Sequence, residues 1–336
     1  MKDKVFIIAE IGNTHEGSLG LAKQFIKSAA ECGVDAVKFQ THIFEAESLA
    51  SAPNPPYFKD ESRKEYFERT AFTLKDIIKL KKYAEEEMGV TFFSSPFSLE
   101  AVKLLKKAKM DIFKIASGEV TNIPMLEEIG KTRKKVLLSS GMSSWNEIDN
   151  AVNVLTDNGC DDIILLQCTS EYPCPAKEAG LNVIDEMKDK YPSLTLGYSD
   201  HTLGVAVPLA AIVKGVRVVE KHFTLSNKMY GSDASNATEP DEFKKLVEEI
   251  RNLEEAMNYK VNKDEKVKHL KKMKMTFEKS IVTSINLKKG TVIEKSMLSF
   301  KKPGDGIPAN EYERVIGKEL NRDIEVNEKL NWDMMK

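Results

Sequence analysis

Short apolar runs rich in β-branched residues alternate with amphipathic helical stretches eight times along the chain, and few folds can absorb that pattern. The runs are VFIIAEI (5–11), DAVKFQ (35–40), VTFFSS (90–95), IFKIAS (112–117), KVLLSS (135–140), DIILLQCT (162–169), LTLGYSD (194–200) and VRVVEKHF (216–223). Helix starts fall between them: Ser18 before LGLAKQFIKSAAEC with Gly33 as the stop, Thr73 with Asp76, and Ser144 with Glu147 as a capping box. Strands that read as continuous apolar runs and alternate with helices predict a parallel sheet covered on its outside. Eight such units over about 225 residues predict an α/β chain folded as a (β/α)8 TIM barrel, whose usual size is about 250 residues. An open doubly wound sheet is the alternative, but no Gly-rich dinucleotide fingerprint follows the first strand.

The barrel is assigned to residues 1–258, ending with the helix pattern PDEFKKLVEEIRNLEEAM (240–257). Residues 259–279 are polar and Lys-heavy and read as a linker. From Ser280 the texture changes to short strands broken by KKG, PGDG and NEK turns, which marks 280–336 as a separate small domain. At fewer than about 60 residues it is expected to lean on another surface or subunit rather than hold an independent core.

Charge excludes some partners. The net charge is −2, so no global field draws the chain to nucleic acid or to an anionic membrane, and an acidic substrate would need a local basic pocket. The N-terminal apolar run is too short for a signal peptide, and the expected location is the cytoplasm. Four scattered cysteines, with no C-x-x-C pair, suit reduced thiols rather than disulfides or structural zinc.

In a barrel of this kind the chemistry sits at the C-terminal ends of the strands. Those ends carry Glu10; Lys38, Gln40 and His42; Ser94 and Ser95; Lys114, Ser117 and Glu119; Ser139 and Ser140; Cys168, Thr169 and Ser170; Ser199, Asp200 and His201; Lys221 and His222. Lys38, Lys114 and Lys221 lie inside apolar runs, where lysine is seldom buried without a partner. With Ser95, Ser117 and Ser139 as hydroxyl donors they suit a small, highly charged anion such as a phosphate ester carrying a carboxylate. The plainer alternative pairs one or two of them with Glu10, Glu119 or Glu220. His201 and His222 end neighbouring strands and suit either one divalent ion or a hydrogen-bonded pair. Cys168 is read as a packing residue and the HEG of THEGSLG as a turn, with Gly17 permitting the bend and Ser18 as cap.

The segments AEIGNTHEGSL, VKFQTH, FFSSPFS, FKIASGE, LLSSGM, CTSEYP, GYSDHT and EKHFT, in that order and followed by KKPGDGIP and VIGKEL, resemble the sialic acid synthase family, including the legionaminic and pseudaminic acid synthases. The resemblance covers nearly the whole chain. It implies a TIM barrel followed by a small antifreeze-like (SAF) domain, and a domain-swapped homodimer in which the small domain covers the partner's barrel mouth. The implied reaction condenses phosphoenolpyruvate with N-acetylmannosamine or a related N-acyl mannose-type sugar, with C–O cleavage and release of phosphate. A divalent metal is implied, manganese first, with magnesium or cobalt as substitutes. Carried over by position, Lys38, Ser95, Lys114, Ser117, Ser139 and Ser199 match phosphoenolpyruvate-binding residues, and His201 and His222 match metal ligands. Glu10 matches a catalytic carboxylate, and Gln40, Glu119, Ser170, Asp233 and Lys302 fall on the sugar side.

Two positions depart from the family pattern. Ser170 stands where sialate synthases are expected to carry Asn, as in synthases of diacetamido sugars, so 2,4-diacetamido-2,4,6-trideoxymannose is the alternative acceptor. Lys302 replaces Arg in the Arg-Pro-Gly of the small domain, and lysine lacks the planar bidentate fork. Glu119, in contrast, fits sialate and legionaminate types better than pseudaminate types. Two rival readings are a Schiff-base pyruvate aldolase using Lys114 or Lys221 and a non-catalytic carbohydrate- or ice-binding protein.

Overall fold

A computed structural model describes residues 4–54, 61–231 and 233–336. It divides into two compact units, Met1–Asn258 and Tyr259–Lys336. In the first, strands β1 (Phe6–Gly12), β2 (Ala36–Thr41), β3 (Thr91–Pro96), β4 (Ile112–Ile115), β5 (Lys135–Ser139), β6 (Ile163–Cys168), β7 (Thr195–Asp200) and β8 (Val218–His222) form a closed barrel in sequence order. Every neighbouring pair is parallel, and β8 returns to pair with β1.

Helices cover the outside because each strand buries both faces. Ile7, Ala9 and Ile11 of β1 pack into the layer shared with the helices, while Ile8 faces the barrel interior. The same period of two runs through the other strands, with Val37 and Phe39 outside and Ala36 inside on β2. Local signals act as written: Ser18, Thr73 and Ser144 each accept a backbone N–H of the following turn, and Glu147 completes the capping box. Gly17 adopts φ +74, and a Cβ there would lie 2.1 Å from the carbonyl oxygen of Arg69, so no other residue suits this turn. Among the described residues no helix is long and apolar enough to cross a membrane.

In the second unit an antiparallel pair, β9 (Ser280–Thr283) with β10 (Leu298–Lys301), is knitted to later segments by isolated bridges such as Val282 to Lys329 and Leu287 to Ile324. Contrary to the expectation from its size, this unit has a core of its own, built on Ile281, Leu287, Ile293, Val315, Leu320 and Leu330. All four residues of β9 are buried, and the bridges from β9 and from Leu287 and Val292 to later segments fold the chain back over them. The stretch read as a linker carries two short helices, Lys263–Lys268 and Lys271–Phe277, with exposed side chains.

Candidate active site at the barrel mouth

The barrel interior changes character at one level. Ile8, Ala36, Phe93, Ile112, Leu137, Leu166 and Val218 form an apolar plug. Two residues further along each strand, on the same inward face, stand Glu10, Lys38, Ser95, Lys114, Ser139, Cys168 and Glu220. β7 fits the series with Gly197 and Ser199, because a Cβ on Gly197 would meet the interior Leu166 side chain at 2.3 Å. A polar layer therefore sits on an apolar floor at the C-terminal mouth.

Within this layer the charges are tightly ordered. The Lys38 ammonium lies 3.1 Å from Glu10, 3.2 Å from Glu220 and 3.3 Å from the Ser95 hydroxyl. Lys114 donates to the Ser139 hydroxyl at 2.7 Å and lies 3.6 Å from the same Glu220 oxygen, which also accepts from Ser199 at 3.3 Å. Glu220 is the hub. Burial alone would push its carboxyl up, but Lys114 and Lys38 outweigh that and hold it down at about 2. Glu10, with one ammonium to share and a second carboxylate nearby, is pushed up by burial to about 7. Burial also pushes Lys114 down, whereas Glu10 and Glu220 overcome burial and raise Lys38.

Lys221 does not join this group. It stands one residue from Glu220 and so points to the opposite face, where it pairs with Asp200 and donates to the Thr202 carbonyl at 2.6 Å. Lys221 thus pairs with a carboxylate that neither reading named, while Lys38 and Lys114 meet Glu10 and Glu220, as the plainer reading has it, and also reach inward hydroxyl partners. Ser94 likewise faces outward, bonded to Thr41 and to the Phe39 carbonyl.

The two histidines approach each other, with ring centroids 5.5 Å apart. His201 Nδ1 donates to the Thr169 carbonyl at 2.7 Å, which fixes the tautomer and leaves the Nε2 lone pair available. The Nδ1 of His222 is buried without a hydrogen-bond partner, and burial lowers the ring's proton affinity. A His pair with one Nε2 free of the Thr169 contact and one nitrogen unsatisfied fits a divalent ion. Among the described residues no group of three or more His, Cys, Asp or Glu side chains closes around one point, so such an ion would keep positions for water or substrate. Cys168 Sγ lies 3.9 Å from His201 Nδ1. Burial pushes this thiol up, but His201 and Lys114 outweigh it and hold it below the usual thiol range.

Two glycines open the space between side chains around the mouth. A Cβ on Gly12 would stand 2.9 Å from Asp233 Oδ2, 3.4 Å from Gln40 Nε2 and 3.7 Å from Glu10 Oε1, so these three groups converge on one glycine. A Cβ on Gly141 would stand 2.5 Å from the Ser170 hydroxyl and 2.7 Å from that of Ser117, which brings the latter two together. Glu119, half-buried, accepts from Asn122 at 2.8 Å. Lys302 belongs to the second unit, where it is exposed with its ammonium 5.1 Å from the Phe277 ring centroid. The linear sequence undervalued Glu220, His42 and Glu47, although period two places Glu220 on the face of His222 and a charge inside VVEKHF marks it.

The chain is similar to known proteins along nearly its whole length. A NeuB family model matches residues 25–262, and a SAF domain model matches 278–336. The N,N'-diacetyllegionaminic acid synthase of Campylobacter jejuni is 40% identical over 97% of this chain and 98% of its own length. The human N-acetylneuraminate-9-phosphate synthase is 34% identical over 97% of this chain and 91% of its own. The crystal structure of N-acetylneuraminic acid synthetase from Leptospira borgpetersenii in complex with citrate superposes with a TM-score of 0.70 at 32% identity, covering 80% of this chain and 92% of that one. On barrel, small domain and full-length similarity together, the chain belongs to the NeuB family and is an enzyme of the sialic, legionaminic and pseudaminic acid synthase type.

Proposed function

We propose that the enzyme condenses phosphoenolpyruvate with an N-acyl mannose-type sugar, forming a 2-keto-3-deoxy sugar acid and releasing phosphate. The observation that carries this reading is the buried pair Lys38 and Lys114, each within reach of inward hydroxyls. Together with Ser95, Ser117, Ser139 and Ser199 they would hold the phosphate and carboxylate of phosphoenolpyruvate, in a preorganised field that costs no reorganisation during reaction. C3 of phosphoenolpyruvate bonds to the sugar's aldehyde carbon, and positive charge develops at C2. Glu10, buried and high in proton affinity, is suited to orient water toward C2 and take its proton. The resulting tetrahedral carbon expels phosphate by cleavage of the C–O bond.

His201 and His222 would hold a divalent ion, manganese or in its place magnesium or cobalt. When bound, it supplies Lewis acidity for an aldehyde oxygen. Gln40, Glu119, Ser170 and Asp233 would receive the sugar. Ser170 and the 40% identity to a diacetyllegionaminic acid synthase favour 2,4-diacetamido-2,4,6-trideoxymannose over N-acetylmannosamine as acceptor. The reading extends to a homodimer in which Lys302 serves a partner's sugar site.

The test is phosphate release from phosphoenolpyruvate labelled with 18O at the bridging position, with each sugar, in manganese and in EDTA. Expected is metal-dependent turnover, faster with the diacetamido sugar, with the label retained in phosphate. Faster turnover with N-acetylmannosamine would make it a sialate synthase. No release with either sugar, combined with borohydride trapping of pyruvate on Lys114, would replace the reading with the aldolase.

A further inference from the structure

His42 follows β2 and is held on four sides. Its ring lies between two phenyl rings, Phe67 at 3.8 Å and 7° and Phe97 at 4.0 Å and 18°. Nδ1 is 2.9 and 3.1 Å from the two carboxylate oxygens of Glu47, and both side chains are buried, with 7% and 8% of their surface exposed. The Ile43 backbone N–H donates to the same carboxylate at 3.3 Å. Nε2 is 3.1 Å from Gln40 Oε1.

The orientation of the Gln40 amide is set from its other end. Its Nε2 donates to Glu10 Oε1 at 2.9 Å, and Asn13 Nδ2 donates to its Oε1 at 3.5 Å. Turning the amide over would face a carbonyl against the Glu10 carboxylate and an amino group against the Asn13 amino group. The carbonyl therefore faces His42, and both ring nitrogens of His42 look at acceptors. Without the ring in this place the buried Glu47 carboxylate and Gln40 carbonyl would each lose a partner, an expensive loss, and the two phenyl faces keep the ring from turning away.

We infer that the hydrogen-bonded pair His42 and Glu47 positions Gln40 and, through it, Glu10 at the barrel mouth. Neither residue touches the reacting atoms; both are positioning residues, and their kinetic effect rests on the synthase reading above. The chain of contacts runs Glu47, His42, Gln40, Glu10, and each link is a hydrogen bond of 3.1 Å or less. With both ends of its amide engaged, Gln40 cannot rotate, and the oxygen of Glu10 that faces Gly12 stays aimed into the space shared with Asp233.

The experiment uses the full-length protein as wild type, Glu47→Gln and His42→Gln. Crystal structures of the two variants should show the Gln40 amide no longer within hydrogen-bond distance of Glu10, with the barrel otherwise unchanged. In turnover with phosphoenolpyruvate and the preferred sugar, Glu47→Gln should lower kcat by about 10- to 100-fold with the KM for phosphoenolpyruvate within about twofold. A Gln40 amide still bonded to Glu10 in both variants, or a wild-type kcat in Glu47→Gln, would overturn the inference. A wild-type protein inactive with both sugars would overturn the synthase reading instead, and the place of Gln40 in the variant structures would still decide the inference.

Discussion

Two buried carboxylates share two buried ammonium groups at the barrel mouth, and the sharing is unequal. Glu220 faces both Lys38 and Lys114, whereas Glu10 faces only Lys38, so the proton resides more readily on Glu10. An unfolded glutamate titrates near 4.3, and Glu10 in the native state titrates at about 7. Between these values the unfolded chain has lost a proton that the native state keeps, so this residue lowers stability as pH rises through the window. Each unit of difference corresponds to about 1.4 kcal/mol. Glu10→Gln removes the titration, and its melting temperature relative to wild type should climb from about pH 5 to 8, measured by circular dichroism in metal-free buffer; a constant difference would contradict the assignment. At this scale the sequence was partly legible. A lysine inside an apolar run announced that it needed a partner, but assigning Lys221 to the mouth ignored that it stands one residue from Glu220.

At the scale of elements, the register between β1 and β2 shifts between Glu10 and Gly12, so that Gly12 pairs with Phe39 only two residues after Glu10 has paired with Lys38. Gly12 takes φ +57 there, and its missing Cβ leaves room for Asp233, Gln40 and Glu10. Gly12→Ala should cost about 1–2 kcal/mol from the left-handed backbone and lower kcat by about tenfold or more through displacement of Asp233. Thermal unfolding and steady-state kinetics on one preparation separate the two effects, and unchanged kcat would show that Asp233 is dispensable. The caps at Ser18, Thr73 and Ser144 were readable because a cap and its partner lie within three residues. The convergence on Gly12 was not, because Asp233 comes from a loop more than two hundred residues away.

At the scale of the molecule, the second unit closes its own core from Ile281 to Leu330. Residues 259–336 expressed alone should therefore give a dispersed amide spectrum and a cooperative melt, and a collapsed, non-cooperative fragment would return the small domain to dependence on another surface. The number of strands, their parallel order and the level at which the interior turns polar were all set by local patterns: eight apolar runs, helices between them, and a period of two along each strand. What only the tertiary structure decided is which polar groups meet. Closing the barrel brings β8 back to β1, which stands Glu220 beside Lys38 and His222 beside Glu10. It also seats the His42 ring between Phe67 and Phe97. Periodicity along a chain specifies the face on which a side chain lies, but partners on different strands are chosen by ring closure and loop packing, which act across distances that no local window contains.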